Sequence, residues 1–245
     1  VQTCALPISV LLYTMNMCCT SPLMPGNSVN IDQDKDLMPV VRIAGLDNLL
    51  YVNPRTPFHT VQDVIDGAKA QPGKLAYGSS GVGGSYHLWA ALFTTLARVD
   101  MLHVPFRGGP PAIAEIVAGR VDMMFAVMGS GLPLAQSGQL RALGVTTDKR
   151  MASAPDVPTV AEAGLPGYQS VAWYGVVGPK GMSPDLLAKL SDEIVKSVAT
   201  PTVRTVVSQQ GGDPVGSTPA EFADFILAER KRYETIVREA GMTVE

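Results

Sequence analysis

Charge is scarce in this chain: Asp, Glu, Lys and Arg make up 17% of its 245 residues, against about 25% in ordinary soluble domains. What charge there is nearly cancels, 19 basic against 22 acidic residues for a net −3. No overall positive field exists to hold a phosphate backbone, which excludes nucleic acid as the main partner. Long apolar runs are also missing. No stretch approaches the roughly 18–20 uninterrupted apolar residues of a membrane-spanning helix, because 24 glycines and 19 prolines interrupt the sequence throughout. Histidine is limited to His59, His87 and His103, with no H-E-x-x-H and no C-x-x-C, so neither a metal nor another cofactor is expected. Of the three cysteines, Cys18 and Cys19 are adjacent. Neighbouring Cα atoms lie about 3.8 Å apart, short of the roughly 4.4–6.8 Å of a relaxed disulfide, so both read as small buried hydrophobes.

What the chain does have is apolar mass, 46% of its residues, enough for a sizeable core. Short β-rich runs alternate with helical stretches, the pattern of α/β folds with mostly parallel sheets. Strands are expected at 11–17, 37–44, 49–52, 74–77, 101–104, 121–127, 140–146 and 173–178. Helices are expected at 60–70, 85–97, 112–118, 132–136 and 159–163. Two later helices have clearer boundaries. Ser183-Pro184-Asp185 opens one with a capping hydroxyl, a proline at the first helical position and an early acid. Thr218-Pro219-Ala220-Glu221 opens the other as a capping box, and Phe222, Phe225, Ile226, Tyr233, Ile236 and Val237 recur on one face. Both follow the last expected strand and pack most simply on a different part of the molecule from the central βα units, which implies two lobes.

The segment richest in chemistry is Tyr77-Gly78-Ser79-Ser80-Gly81-Val82-Gly83-Gly84-Ser85-Tyr86-His87, a strand emptying into a Gly/Ser loop that feeds a helix. Glycines allow main-chain N–H groups to converge, serines add hydroxyls, and a helix N-terminus carries about half a positive charge. Such a loop is either an anion cradle or a glycine-rich turn without a ligand. No lysine stands in the Walker position and G-x-G-x-x-G is not matched, so a carboxylate suits it better than a nucleotide phosphate. G-x-S-x-G is not matched either. That leaves a serine hydrolase built on Ser79, Ser80 or Ser85 as a minor alternative. His87 reads as a helix-start residue bonding nearby backbone, and His103 as a strand residue beside its sheet neighbour.

Five blocks in order carry a family resemblance: His103-Val104-Pro105-Phe106-Arg107-Gly108-Gly109-Pro110, Gly119-Arg120-Val121-Asp122-Met123-Met124-Phe125, Gly138-Gln139-Leu140-Arg141-Ala142-Leu143-Gly144, Pro155-Asp156-Val157-Pro158-Thr159-Val160-Ala161-Glu162-Ala163-Gly164 and Pro214-Val215-Gly216-Ser217-Thr218-Pro219. From about Tyr13 to the end, the chain resembles the Bug/TctC substrate-binding proteins of tripartite tricarboxylate transporters. The resemblance implies a two-lobed periplasmic-binding-protein fold of type II, the Venus flytrap. One lobe would comprise 9–53 with 173–245, the other 54–172, with crossings at Leu49–Asn53 and Trp173–Pro179. It implies a monomeric, non-catalytic periplasmic protein that holds a small carboxylate between the lobes and delivers it to membrane permease subunits; presentation to a receptor or histidine kinase is the alternative.

The family's second anion loop falls on Ser79, Ser80, Gly81, Val82, Gly83, Gly84 and Ser85. Its strand-end residues fall on Cys18, Cys19 and Thr20, of which Thr20 keeps an evident donor. A position often occupied by Asp is Ala126 here, implying a carboxylate ligand without an amine. Trp173 and Tyr174 lie at the second crossing, where they either wall the cleft or pack at the hinge. The family's first βα units and its Pro-Gly-Gly loop are not found ahead of Tyr13, so the first lobe is expected to be incomplete. Val1–Ile8 back-translates to GTT CAG ACG TGT GCT CTT CCG ATC, a run of common sequencing adapters. Residues 1–8 are therefore expected to be an artefact at the head of a truncated reading frame.

Overall fold

A computed structural model describes residues 9–20, 31–151 and 153–239; the expectation for residues 1–8 lies outside them. The chain divides into two compact units. Unit one joins the chain up to Leu46 with Ala172–Thr235; unit two takes Asp47–Val171 and, from Ile236, the end of the last helix.

Unit one begins with β1 (Leu11–Thr14), a π-helical turn (Asn16–Thr20), α1 (Gln33–Asp36) and β2 (Leu37–Leu46). Unit two then runs β3 (Asn48–Val52), α2 (Val61–Ala70), β4 (Ala76–Ser79), α3 (Ser85–Ala97), β5 (Leu102–Pro105), α4 (Gly109–Ala118), β6 (Met123–Val127), α5 (Met128–Gln136) and β7 (Arg141–Val145). The chain returns to unit one as β8 (Ala172–Pro179), α6 (Pro184–Val198), α7 (Pro201–Gln209), β9 (Gly212–Pro214) and α8 (Pro219–Glu239).

The sheets depart from the mostly parallel expectation. In unit one the order is β1-β8-β2-β9 and every described pairing is antiparallel. No two paired strands there are joined by a crossover helix, the connection that makes neighbours parallel. Unit two has the order β5-β4-β6-β3-β7, with β4 parallel to β5 and β6, whereas β3 runs against both β6 and β7. The strands linked through α3, α4 and α5 run parallel, as the crossover rule requires. β3 enters directly after β2 and lies between two strands of opposite direction. All five of its residues are buried, which is why Leu49-Leu50-Tyr51-Val52 reads as an unbroken apolar run. From the sequence Leu49–Asn53 is expected to form a crossing between lobes; Leu49–Val52 stand inside the second unit's sheet, and Asn53 follows the end of β3.

Of the two well-bounded helices, α6 lies in unit one, as does α8 up to Thr235. Leu186, Leu187, Leu190 and Ile194 of α6 pack on Val40, Val41 and Met182. Phe222 and Phe225 of α8 set their rings edge-on to Trp173, with centroids 5.7 and 5.4 Å away. The helix expected at 159–163 is only a turn. Thr159 and Glu162 bond each other's main chain as a helix start would, but Gly164 follows at φ +125° and Pro166 comes next. α7 and β9 were not expected. α7 buries none of its residues.

Candidate loop site after strand β4

Residues 79–85 link β4 to α3. Their glycines do two different jobs. Gly81 (φ +123°) and Gly83 (φ +73°) adopt backbone conformations that side chains disfavour. Gly84 has an ordinary φ of −70°, but a Cβ there would sit 2.7 Å from Ser80 Oγ and 3.1 Å from Gly81 O. Gly84 is also the N-cap of α3, and with no side chain it leaves the positive end of a 13-residue helix without a side-chain cap. The helix ladder starts with Leu88 N–H donating to Gly84 O at 3.0 Å.

Much of the loop is pinned from within. Gly81 N–H donates to Ser79 Oγ at 3.2 Å, Gly84 N–H to Gly81 O at 3.1 Å, and Gly83 N–H to His87 Nδ1 at 3.1 Å. Ser79 Oγ also lies 2.6 Å from His103 Nε2. The His87 and His103 rings stack with centroids 3.8 Å apart and planes 13° apart, and Tyr77 lies on His103 at 4.9 Å. Burial, with a smaller push from His103, lowers His87 to about 4; burial also lowers His103 and raises the Tyr77 phenol to about 12. At neutral pH all three rings are therefore uncharged, and the loop's polarity comes from main-chain and helix dipoles.

Ser79 and His103 have the spacing of a nucleophile and its base. Yet Ser79 is wholly buried, and no carboxylate bonds His103 among the described residues. A substrate cannot reach this hydroxyl, so the pair braces the loop. Ser80 and Ser85 are half-buried.

The remaining expected site residues scatter. Ala126, on β6, is fully buried opposite Leu49 and packs among Met124, Ile116 and Val145. It belongs to the core of unit two and gives no ground for reading the ligand's amine. Trp173 is a core residue of unit one: its indole N–H donates to Glu229 at 3.1 Å, and Tyr13, Phe222 and Phe225 surround its ring. Tyr174, the next residue along β8, is half-buried on the opposite face of the strand. Thr20 ends the π-helical turn, and its side chain lies outside the described residues. Cys18 and Cys19 are buried and unbridged.

Nothing in the residue pattern marked His87 and His103 as neighbours, although His87 does bond nearby backbone as a helix-start residue should. Asn48 was missed altogether. It opens β3 opposite Val127 of β6, and its buried side-chain amide has no partner among the described residues. Its only signal was a polar residue at the head of an apolar strand. Among the described residues no cluster could hold a metal ion, and no helix is long and apolar enough to cross a membrane.

Comparison with known proteins places this geometry. A Pseudomonas sp. (strain P51) protein named "UPF0065 protein in tcbD-tcbE intergenic region" is 39% identical over 212 residues, covering 86% of this chain. The chain spans only 63% of that relative's length. The structure titled "R. palustris Rpa4515 with adipate" superposes with a TM-score of 0.87 at 30% identity, covering 96% of this chain and 79% of that one. "MatC (Rpa3494) from Rhodopseudomonas palustris with bound malate" gives 0.82 at 27% identity, covering 93% and 78%. The chain thus has the α/β fold of periplasmic binding proteins. Residues 8–242 match the family TctC, described as the tripartite tricarboxylate transporter family receptor, and the chain belongs to that family.

Proposed function

We propose that this chain is a non-catalytic, periplasmic solute-binding protein that takes a small organic carboxylate at the Ser79–Ser85 loop and delivers it to a tripartite tricarboxylate-type permease. The observation that carries this reading is the glycine-capped start of α3, a helix dipole end with no side-chain cap hydrogen bond. Burying a carboxylate costs several kcal/mol unless donors meet its oxygens. Fixed main-chain amides provide charge-assisted bonds without a cationic side chain. Three loop amides already have partners within the loop and its brace. Donors suited to the ligand are the main-chain amides at the start of α3, the loop-tip amide of Val82 and the Ser80 hydroxyl. Adipate and malate in the related structures support a carboxylic acid as the ligand class.

Titration calorimetry of the full chain with adipate, malate and the neutral diamide of adipic acid tests this. One of the acids binds saturably and the diamide does not. Gly84→Ala, whose new Cβ crowds Ser80 and Gly81, lowers the affinity about tenfold or more, as misplaced charge-assisted bonds would. Wild-type affinity in Gly84→Ala, or tight binding of the diamide, refutes the site.

A further inference from the structure

The imidazoles of His87 and His103 brace the loop at two points. Because Gly83 N–H donates to His87 Nδ1 at 3.1 Å, that nitrogen holds a lone pair and the ring's proton sits on Nε2. His103, stacked on it at 3.8 Å, meets the Ser79 hydroxyl at 2.6 Å, and that hydroxyl accepts Gly81 N–H at 3.2 Å. The two glycines fixed in this way are the loop's two positive-φ residues, whose backbones have the most freedom to move once released.

We propose that His87 and His103 are positioning residues and that the carboxylate loop keeps its binding shape only while the His87 imidazole is neutral, so that acid weakens carboxylate binding by releasing Gly83. This rests on the loop being the ligand site. The next proton taken by His87 goes to Nδ1, its one basic nitrogen, and turns the acceptor of Gly83 N–H into a second donor. A hydrogen bond is replaced by two facing N–H groups. The neighbourhood offers the charged ring nothing in return. β4 presents the Tyr77 ring and the Ser79 hydroxyl, β5 presents His103, the loop presents an amide, and no carboxylate or cation contributes to either ring's titration. Burial, then His103, holds His87 down to about 4, so the brace is intact at neutral pH. The expected sign is the reverse of simple charge arithmetic, in which a new positive charge beside an anion site tightens binding.

The test compares wild type, His87→Ala and His87→Asn in adipate titrations from neutral pH toward 4, together with the ¹H–¹⁵N shift of the Gly83 amide in ligand-free protein. Asn Oδ1 stands where Nδ1 does and accepts from Gly83 but takes up no proton. At neutral pH His87→Ala loses about fivefold to tenfold in affinity, one hydrogen bond's worth, and His87→Asn regains most of it. As pH falls toward 4, the wild-type affinity drops about twofold relative to His87→Asn, the factor set by half-protonation of one group. Adipate's own protonation cancels in that ratio. In free protein the Gly83 shift titrates with His87 near the same pH and is flat in His87→Asn. A ratio that rises or stays level with acid overturns the proposal, as does a Gly83 amide indifferent to His87. If neither adipate nor, in its place, malate binds any of the three proteins, the site reading fails, and the Gly83 titration still decides whether the coupling exists.

Discussion

The two units organise their polar atoms in opposite ways. In unit two the candidate site is made of main chain and uncharged rings drawn mostly from one strand, one loop and one helix start. In unit one the polar centre is a meeting of distant side chains. Arg230 donates to Gln33 Oε1 at 2.7 Å and to the Tyr13 hydroxyl at 3.3 Å, pairs with Asp34, and so ties α8 to elements 197 and 217 residues earlier. Cys18 lies in the same neighbourhood, its thiol lowered by a hydrogen bond with Cys19 and by Arg230 against the opposing effect of burial. A backbone site leaves a local mark in the sequence, because glycine is needed wherever φ is positive or space is short. A side-chain network leaves none, since each member is an ordinary residue of its own helix or strand.

The sharpest test of this contrast is at Trp173, which the sequence reading left between cleft wall and packing. In the structure its ring is enclosed by Tyr13, Phe222 and Phe225 and its N–H is bonded to Glu229. Trp173→Ala is expected to cost about 3–5 kcal/mol of stability, the range for emptying a large aromatic site. Urea denaturation measures it. A variant that melts like wild type but binds adipate poorly would return Trp173 to the ligand and dissolve the distinction between the units.

A second, somewhat smaller effect separates the units by pH, and the chain's two tryptophans, Trp89 in unit two and Trp173 in unit one, report on them individually. His87 has a folded pKa of about 4 against an ordinary 6.5. Between those values the unfolded chain binds more protons, so stability is full above 6.5 and is lost as pH falls toward 4, by roughly 3 kcal/mol. Glu229 of unit one has the opposite sign. Burial raises its carboxyl above the usual 4.5, against weaker pulls from Arg232 and Trp173. Folded protein then binds more protons than unfolded across that interval, and this contribution improves as pH falls. Unfolding followed in Trp89→Phe and in Trp173→Phe should therefore show unit two weakening with acid relative to unit one. Identical slopes from both reporters would mean that neither buried group governs its unit.

Much of the fold was legible for plain reasons. Apolar runs marked β2, β3, β6 and β8, and capping residues marked α2, α3, α6 and α8 to within a residue or two. Sheet direction was not legible, because βα alternation says nothing about a strand such as β3 that arrives without a crossover. The loop was found through Gly81, Gly83 and Gly84, but Ser79 was misread as a ligand donor when its hydroxyl is sealed against His103 and Gly81. That contact depends on β4 and β5 lying side by side in register, with Tyr77 opposite His103, a fact of pairing that spacing along the chain does not contain. Ala126 was drawn to the site by resemblance alone, and its place in the core shows how little one strand position says without its neighbours.

The smallest expected effect compares two helix starts, one from each unit. In unit two Thr60 caps α2 in both directions: its side chain accepts Asp63 N–H at 3.1 Å, while Asp63 accepts the main-chain N–H groups of Thr60 at 2.9 Å and His59 at 2.8 Å. In unit one Ser183 caps α6 with a single longer bond, accepting Leu186 N–H at 3.3 Å. A reciprocal box satisfies more of the orphan donors at a helix start than a lone hydroxyl does. Thr60→Ala should therefore cost about 1 kcal/mol and Ser183→Ala about half that, within the range for exposed caps. Because Asp63 still reaches two amides without Thr60, Thr60→Ala should leave α2 formed but frayed, with faster amide exchange at its first turn. Equal losses in the two variants would show that the second half of the box adds nothing to the stability of α2.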